Sequence, residues 1–307
     1  MKTALLFSGQ GSQYVGMMKD LYDLYPEAKE LVDKADKILG FELSRICFEG
    51  PLDLLKETRY TQPALFLHSS LIMYIIGKKL EYSAVAGHSV GEYAALYSAG
   101  VLSFEDALKL VALRGELMFR AGESEPGTMF AIINLDDKKV EEVCNSLTDA
   151  SKRLFVVPAN FNSPGQIVIS GSAEHIRNNI DKFKESGARM VKELVVSGAF
   201  HSPLMEPAKK ELEKAILGME FRDAKVPVYV NVTASPVSDG KSLQKYLIEQ
   251  LTSPVLWTQT LLNMKNDGIL KYIEIGAGNV LQGLVKRTLN DIEIEGIDKA
   301  EDLRKYF

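Results

Sequence analysis

The chain has 307 residues, of which 46% are hydrophobic and 25% are charged, and its formal net charge is −5. This composition excludes the fibrous and disordered classes and supplies enough apolar residues for a large core. The acidic balance disfavours general nucleic-acid binding, which requires a basic surface to displace counterions from phosphates. Cys47 and Cys144 form no CxxC pair and are too few to staple a chain of this length, so we expect a reducing, cytoplasmic location.

The N-terminal apolar run, Ala4–Phe7, is far shorter than the hydrophobic core of a signal peptide and predicts a first strand. The longest apolar stretch, residues 64–77, is interrupted by His68, Ser69 and Ser70. It also falls short of the roughly 20 apolar residues that a membrane span needs. We therefore expect no membrane association.

Short apolar runs bounded by glycine alternate with helical patterns near both ends of the chain. Strands are predicted at Thr3–Phe7, Ser83–Gly87 and Tyr272–Ile275, and the last two precede helical patterns at Gly91–Tyr97 and Val280–Leu289. Such alternation predicts an α/β core of the α/β-hydrolase type, with a mainly parallel sheet.

The middle of the chain has a different pattern, in which strands and helices follow the order β-α-β-β-α-β. The predicted elements are Thr128–Ile133, Asp136–Leu147, Leu154–Pro158, Gln166–Ser170, Ala173–Ser186 and Lys192–Val196. This order is typical of the ferredoxin-like split βαβ sandwich. We predict a small ferredoxin-like subdomain at 126–197, inserted into a large α/β domain formed by 1–125 and 198–307. Segments 122–127 and 197–198 would act as hinges, and a site is expected in the cleft between the two parts.

Ser89 lies at the centre of Gly87-His88-Ser89-Val90-Gly91, a G-x-S-x-G pattern between a predicted strand and a predicted helix. Such a pentapeptide also arises by chance. In this setting, however, its glycines would permit the sharp turn of a nucleophile elbow, which lifts the serine hydroxyl to a helix N-terminus. The position therefore favours a nucleophilic serine over a structural one.

A nucleophilic serine needs a base, and the chain has four histidines. His68 lies in an apolar run and is expected in the core, His175 begins a polar helix and is expected to be exposed, and His88 should point away from the neighbouring serine hydroxyl. His201 remains, in a loop of small residues after the last strand of the predicted subdomain. No Asp or Glu stands out as its partner, so a neutral carbonyl or amide would orient the imidazole.

Arg114 falls on the apolar face of a helix predicted at Phe104–Ala121. A guanidinium that points inward needs an anion, because burying an unpaired charge is costly. The sequence leaves two candidates open, a carboxylate of the protein and a carboxylate of a ligand.

The loop Gly9–Gln13 follows the first predicted strand. It lacks the third glycine of a dinucleotide fingerprint, because Tyr14 occupies the sixth position. Its glycines suit either close backbone approach, with amides available to an oxyanion, or a purely structural turn.

Seven segments, spread in order over nearly the whole chain, resemble those of the malonyl-CoA:acyl carrier protein transacylases. They are FSGQGSQ (7–13), GHSVGEY (87–93), LRG (113–115), NFNSPGQ (160–166), GAFH (198–201), QLTSPVLW (250–257) and EIGAG (274–278). The resemblance implies that Ser89 is the acylated serine, that His201 is its base, and that Arg114 binds the free carboxylate of malonate.

The same resemblance implies roles for five further residues. Gln10 and the backbone amide of Val90 would form the oxyanion hole, and the main-chain carbonyl of Gln250 would hold the histidine. Phe200 matches a bulky residue that disfavours α-branched substrates, and Asn162 would line the pantetheine channel. Val90 stands where leucine is common in the family, but it would contribute only its amide.

The implied activity is transfer of a malonyl group from malonyl-CoA to the phosphopantetheine thiol of an acyl carrier protein, through a malonyl-serine intermediate and without a permanently bound cofactor or metal. Fatty-acid synthesis is the expected pathway, and loading of a modular polyketide synthase is the alternative. A serine esterase or acyl hydrolase would share the elbow, but it should show an acid partner for His201 and no inward Arg114. A non-catalytic carrier-binding scaffold would have no use for this set of residues.

Carrier proteins of this kind are usually acidic, so an acidic enzyme would need a local basic patch for docking. The candidates are Lys286-Arg287 and a cluster of Lys184, Arg189 and Lys192. Each of these could also be an ordinary solvated surface group.

Overall fold

The computed structural model describes all 307 residues. Its strands are β1 (Lys2–Phe7), β2 (Ala84–Gly87), β3 (Gly127–Ile133), β4 (Val156–Ser163), β5 (Gln166–Ser172), β6 (Met190–Glu193), β7 (Val228–Tyr229), β8 (Pro236–Val237), β9 (Ile269–Ile275) and β10 (Glu293–Ile297). Its α-helices are α1 (Lys19–Leu24), α2 (Pro26–Leu39), α3 (Leu43–Glu49), α4 (Leu52–Leu55), α5 (Thr58–Ile76), α6 (Gly91–Ser98), α7 (Phe104–Ser124), α8 (Asp137–Leu147), α9 (Ala173–Asn179), α10 (Asp181–Glu185), α11 (Glu206–Leu217), α12 (Gly240–Glu249), α13 (Trp257–Asn266), α14 (Val280–Thr288) and α15 (Ala300–Leu303). Short 3-10 helices cover Gly77–Lys79, Ala150–Lys152, Pro203–Met205, Gln250–Thr252 and Arg304–Tyr306. None of the helices combines the length and the apolar character that a membrane crossing requires.

The larger sheet has six strands in the order β10-β9-β1-β2-β7-β8. All neighbouring strands run parallel except β7 and β8. This confirms the predicted α/β fold with a mainly parallel sheet. Phe7 pairs with Gly87 at the carboxyl ends of β1 and β2. The loops that follow these two strands therefore leave the sheet side by side.

The central strand β1 is covered on both faces, which explains its continuous apolar run. Leu5 and Phe7 pack into the larger hydrophobic core together with α5 and α7. Ala4 and Leu6 point to the opposite face and pack with Trp257 of α13. Such a strand is a rigid base for the loops at its carboxyl end.

Helix α7 carries Arg114 to the same end of the sheet by crossing the start of α5. At the crossing, a Cβ on Gly115 would lie 2.9 Å from the carbonyl oxygen of Thr58. The helix runs to Ser124, three residues beyond the predicted end. Residues 122–124 of the predicted hinge at 122–127 are therefore helical, which leaves Glu125 and Pro126 between α7 and β3. Gly122 packs directly on the backbone of Ser197, where a Cβ would overlap a carbonyl oxygen.

The second sheet has four antiparallel strands in the order β4-β5-β3-β6. Its own hydrophobic core includes side chains from α8, α9 and α10. Two predicted elements differ here. The predicted helix 173–186 is broken at Ile180 into α9 and α10, where the side-chain amide of Asn179 donates to the carbonyl of His175 at 2.9 Å. The last strand is Met190–Glu193 instead of 192–196, because β6 pairs with β3 only opposite 130–133.

Strand β4 is longer than predicted and extends from Val156 through Ser163, so the NFNS motif lies on a strand instead of in a loop. Its second half is held from outside the small sheet. The amide of Val255 donates to Ala159 at 2.8 Å, and the amide of Phe161 donates to Val255 at 2.9 Å. These bonds join β4 to the segment that carries Gln250.

Candidate active site

Ser89 lies on a sharp turn between β2 and α6. Its φ of 53° falls in the left-handed region that residues other than glycine rarely adopt. Added Cβ atoms would overlap the backbone of Gly91 at position 87, and the carbonyl oxygen of Phe7 at position 91. Only glycine fits at both positions, and the two glycines therefore permit the tight turn between β2 and α6. This turn places the hydroxyl of Ser89 at the N-terminus of α6, as predicted.

The hydroxyl of Ser89 lies 2.8 Å from Nε2 of His201. The other ring nitrogen, Nδ1, faces the backbone carbonyls of Gln250 at 3.0 Å and Ser253 at 3.1 Å. Both carbonyls are acceptors, so Nδ1 carries the proton and Nε2 accepts from the serine. The imidazole is therefore oriented by two neutral carbonyls and needs no carboxylate.

Burial and the nearby positive charge of Arg114 lower the pKa of His201 to about 3. The ring is therefore neutral around pH 7 and able to accept a proton. A neutral, oriented imidazole hydrogen-bonded to a hydroxyl is the arrangement that activates a serine nucleophile.

Arg114 is buried, and its guanidinium touches neutral oxygens. Nη1 donates to Oε1 of Gln62 at 2.6 Å, while Nη2 donates to Oε1 of Gln250 at 3.0 Å and to Oγ of Ser89 at 3.1 Å. It forms no ion pair with any carboxylate of the protein. Of the two alternatives that the sequence left open, the geometry favours a ligand carboxylate.

Gln10 and Val90 both line the cavity around Ser89. Their loops are in close contact, since a Cβ on Gly9 would lie 2.6 Å from the carbonyl oxygen of His88. Neither backbone amide donates to an acceptor within the protein. The side chain of Gln10 is held by a bond of 3.1 Å from Nε2 to Oγ1 of Thr58.

The cavity around Ser89 has a volume of about 110 Å³. Its apolar side chains are Val90, Met118, Met129, Leu194, Val196 and Phe200, and its polar ones are Gln10, Gln62, His88, Ser89, Arg114, Asn160 and His201. It lies between the end of the parallel sheet and the four-stranded sheet.

A second groove adjoins this cavity and shares Gln10, His88, Asn160 and Leu194 with it. Asn162 lines this groove, and its Oδ1 accepts from Nε2 of His88 at 2.8 Å. His88 thus points away from the serine hydroxyl, as predicted. Oδ1 of Asn160, a residue that lines both the cavity and the groove, is buried without a hydrogen-bond partner.

The remaining two histidines lie outside the cavity. His68 is in the core, as predicted, with Nε2 at 2.8 Å from the carbonyl of Asp298. His175 is half-buried, and its Nε2 donates to the carbonyl of Leu147 at 2.7 Å, so the expectation of an exposed ring was wrong. The polar helix pattern did not show that its first turn faces the end of α8.

The structure adds four residues that the sequence did not single out: Gln62, Glu92, Asn231 and Ser253. Gln62 holds the guanidinium of Arg114, and Ser253 holds His201. Glu92 belongs to the GHSVGEY segment (87–93). Its position in the sequence gave no sign of burial, but the residue is only 1% exposed. Asn231 lies in no motif recognised in the sequence.

Comparison with known proteins gives a consistent family. A family model described as an acyl transferase domain matches residues 4–305. The malonyl CoA-acyl carrier protein transacylase of Staphylococcus aureus is 41% identical over 305 residues, covering 99% of this chain and 98% of that protein. The transacylase of the same name from Bacillus subtilis is 40% identical, with coverages of 98% and 95%.

Two solved structures have the same fold over the whole chain. An acyl carrier protein S-malonyltransferase from Vibrio cholerae has a TM-score of 0.94 and 38% identity, with full coverage of both chains. A malonyl-transacylase solved in complex with its type II PKS acyl-carrier protein has a TM-score of 0.93 and 36% identity, covering 100% of this chain and 99% of that one. The chain therefore belongs to the acyl transferase domain family and, within it, to the malonyl CoA-acyl carrier protein transacylases.

Proposed function

We propose that this enzyme transfers the malonyl group of malonyl-CoA to the phosphopantetheine thiol of an acyl carrier protein through a malonyl ester on Ser89, and that it supplies fatty-acid synthesis. The observation that carries the substrate assignment is Arg114. Its guanidinium is buried, has no carboxylate partner in the protein, and lies 3.1 Å from the serine hydroxyl. An acyl group that ends in a carboxylate would supply the missing anion.

The reaction has two halves that use the same groups. His201 takes the proton of the Ser89 hydroxyl as Oγ forms a bond to the thioester carbonyl carbon. The C–S bond then breaks, and the CoA sulfur leaves with the proton from His201. In the second half, His201 takes the proton of the carrier thiol as its sulfur forms a bond to the carbonyl carbon of the serine ester. The bond between that carbon and Oγ then breaks, and Oγ of Ser89 recovers its proton from His201.

The negative charge on the carbonyl oxygen would be held by the backbone amides of Gln10 and Val90. Both amides lack an acceptor in the protein, and both residues line the cavity that contains the serine. Donors that are already in place need no reorganisation during the reaction, which makes them effective in a site with little water.

Phe200 and Asn162 are proposed to act on different parts of the substrate. Phe200 is buried in the wall of the cavity, where it would restrict branching next to the thioester carbonyl. Asn162 lines the adjoining groove, which would hold the pantetheine arm. The main-chain carbonyl of Gln250 is proposed to hold His201 through both halves of the reaction.

We also propose a division into a large α/β-hydrolase-like domain, 1–125 with 198–307, and a ferredoxin-like subdomain, 126–197. In its favour, the four strands of the second sheet all fall within 126–197 and have the order and the antiparallel pairing of a split βαβ sandwich. They also share a hydrophobic core of their own with α8, α9 and α10. Only Glu125 and Pro126 join α7 to β3.

A polyketide pathway is the second candidate, because one relative with the same fold was solved with a type II PKS carrier. Malonyl transfer has the same chemistry with a fatty-acid carrier and with a polyketide carrier, so only the identity of the carrier separates the two pathways.

A serine esterase is disfavoured, since His201 is held by carbonyls and Arg114 occupies the acyl pocket.

The decisive experiment is incubation of the purified protein with malonyl-CoA, followed by intact-mass measurement. We expect the mass of one malonyl group to be added, removal of that group by a phosphopantetheinylated carrier, and no label in Ser89→Ala. Retention of the label in Ser89→Ala would reject the assigned nucleophile. Competition between fatty-acid and polyketide carriers, with malonyl-, methylmalonyl- and acetyl-CoA as donors, then tests the pathway and the acyl preference together.

A further inference from the structure

Asn231 lies behind the nucleophile, in the loop that follows β7, and is fully buried. Its side chain binds the turn at two points, since Oδ1 accepts from the amide of Ser89 at 2.8 Å and Nδ2 donates to the carbonyl of Gly87 at 2.7 Å. Its backbone amide donates to Oε2 of Glu92 at 2.8 Å, and its carbonyl accepts from Leu256 at 3.0 Å. All four of its polar groups are therefore satisfied within the protein.

These bonds decide which amides are free to face the substrate. In chymotrypsin-like proteases the amide of the nucleophilic serine is itself an oxyanion donor. Here the amide of Ser89 is occupied by Asn231, whereas the next amide, that of Val90, has no acceptor in the protein. Asn231 thus engages the N–H of Ser89 and leaves the N–H of Val90 available to a substrate oxygen.

The turn needs such support because Ser89 has a φ of 53°. A side chain in this region costs about 1–3 kcal/mol, and the conformation persists only when surrounding contacts hold it. Asn231 holds the turn on both sides of His88, at Gly87 and at Ser89. It acts on the direction of the serine hydroxyl without touching it.

Glu92 holds the asparagine in turn. It lies one turn of α6 beyond Ser89, and Oε1 of its carboxyl group has no partner in the protein. The carbonyl of Asn231 also accepts from Leu256, in the segment whose carbonyls orient His201. The same residue therefore couples the nucleophile turn to the segment that holds the base.

We propose that Asn231, held by Glu92, is a positioning residue that sets the conformation of the nucleophile turn and leaves the amide of Val90 free for the oxyanion. This inference rests on the proposed role of Ser89. Since displacement of reacting groups by about 1 Å can cost roughly 100-fold in rate, loss of the clamp should slow every reaction in which the Ser89 hydroxyl attacks an electrophile, whether a thioester carbon or the phosphorus of a fluorophosphonate.

The test compares Asn231→Ala with Asn263→Ala. Asn263 donates its side-chain amide to the carbonyl of Ala234 at 2.9 Å, so its removal deletes one bond to the same loop away from the cavity. The readout is the rate at which a fluorophosphonate probe labels the serine, because this reagent needs neither the CoA site nor Arg114. We expect Asn231→Ala to label about 100-fold more slowly than the wild type, with an unchanged dissociation constant for CoA, and Asn263→Ala to label at the wild-type rate.

Glu92 supplies a second test that does not depend on whether Asn231→Ala folds. Glu92→Gln retains an oxygen that can accept from the amide of Asn231, whereas Glu92→Ala does not. We expect the glutamine variant to keep most of the labelling rate and the alanine variant to lose it. Equal rates in the two Glu92 variants, or wild-type labelling by folded Asn231→Ala, would overturn the proposal. If the wild type itself takes neither the probe nor a malonyl group, the proposed function fails instead.

Discussion

At the scale of single residues, the charge of Arg114 is the feature that we propose sets this serine site apart from a general acyl site. Arg114→Ala should lower kcat/KM for malonyl-CoA by roughly 10- to 150-fold, because a hydrogen bond to a charged group contributes about 1.5–3 kcal/mol. The rate with acetyl-CoA, which has no carboxylate, should change far less. Competition between the two donors, followed by mass analysis of the acylated protein, measures the ratio directly.

The matched control for this prediction is Arg120→Ala. Arg120 lies on the same helix but is exposed and paired with Glu116 at 2.7 Å. It should leave the preference for malonyl unchanged. Arg114→Lys should fall between wild type and alanine, since it keeps the charge but loses the planar fork. An Arg114→Ala enzyme with wild-type discrimination would remove this residue from substrate recognition.

The same scale shows which residues a sequence can reveal. Ser89, Arg114 and His201 each had a local signal: a turn motif, a charge on an apolar helix face, and a loop of small residues. Asn231 had none, since it reaches Ser89 across 142 positions of the chain and its neighbours resemble any short strand and loop. A hydrogen bond between distant segments leaves no periodicity, so it becomes visible only when the sheet brings β2 and β7 together.

At the scale of elements, the glycines of the nucleophile turn are the positions least able to change. Gly91→Ala should destabilise the protein by about 3 kcal/mol, at the upper end of the usual cost of overpacking, because its Cβ would overlap the carbonyl oxygen of Phe7. It should also abolish acylation of the serine. Urea unfolding and malonyl labelling measure the two effects.

Gly283 in α14 is the control for Gly91, because a Cβ at position 283 would meet no atom within 4 Å. Gly283→Ala should stabilise the protein by about 0.5–1 kcal/mol, as expected for alanine in a helix interior. If both variants shifted the urea midpoint by the same amount and in the same direction, close packing at the turn would not be what selects glycine.

Elements with strong periodicity were predicted to within a few residues, and the misplaced boundaries have physical causes. The sequence 159–163 contains two asparagines and a serine, which are typical of loops. It nevertheless forms the second half of β4, because β5 on one side and Val255 on the other satisfy its backbone. Strand propensity is weak beside such pairing, and the partner segment lies about 95 positions away, outside any local window.

At the scale of the whole molecule, the buried histidines and the buried carboxyl groups have opposite effects on folding stability as the pH falls. Burial lowers the pKa of His68, His88 and His201, so below about pH 6.5 the unfolded chain binds protons that the folded protein does not. These groups destabilise the fold progressively in acid. Burial raises the pKa of Glu92 and Glu274 to about 7, so from about pH 7 down to about 4.5 the folded protein binds protons that the unfolded chain does not.

The carboxyl groups therefore stabilise the fold as the pH falls, in a window where the histidines destabilise it. Glu274→Gln removes one of the stabilising contributions. The free energy of unfolding of the wild type minus that of Glu274→Gln should grow as the pH is lowered from 7 to 5, by at most about 1.4 kcal/mol per unit. Urea unfolding at several pH values measures it, with the exposed Glu211→Gln as control. A difference that does not vary with pH would show that Glu274 is ionised throughout.

Docking of an acidic carrier is the property that depends on the whole surface, since the net charge of −5 would repel it. Lys286 and Arg287 are exposed on α14, the helix whose Val280 and Leu284 line the groove next to the cavity. Lys184, in contrast, is paired with Asp181 at 2.9 Å.

Charge reversal at both α14 positions, Lys286→Glu with Arg287→Glu, should slow transfer to the carrier by at least about tenfold at low salt, because electrostatic steering raises on-rates by about 10- to 1000-fold. It should also flatten the dependence of the rate on salt.

Loading of Ser89 from malonyl-N-acetylcysteamine, a donor without phosphates, should be unaffected, so that the loss is assigned to the second half-reaction. Lys184→Glu is the comparison. If the double variant keeps its transfer rate and salt dependence, the docking face lies elsewhere. If only Lys184→Glu loses transfer, the docking face lies at α10.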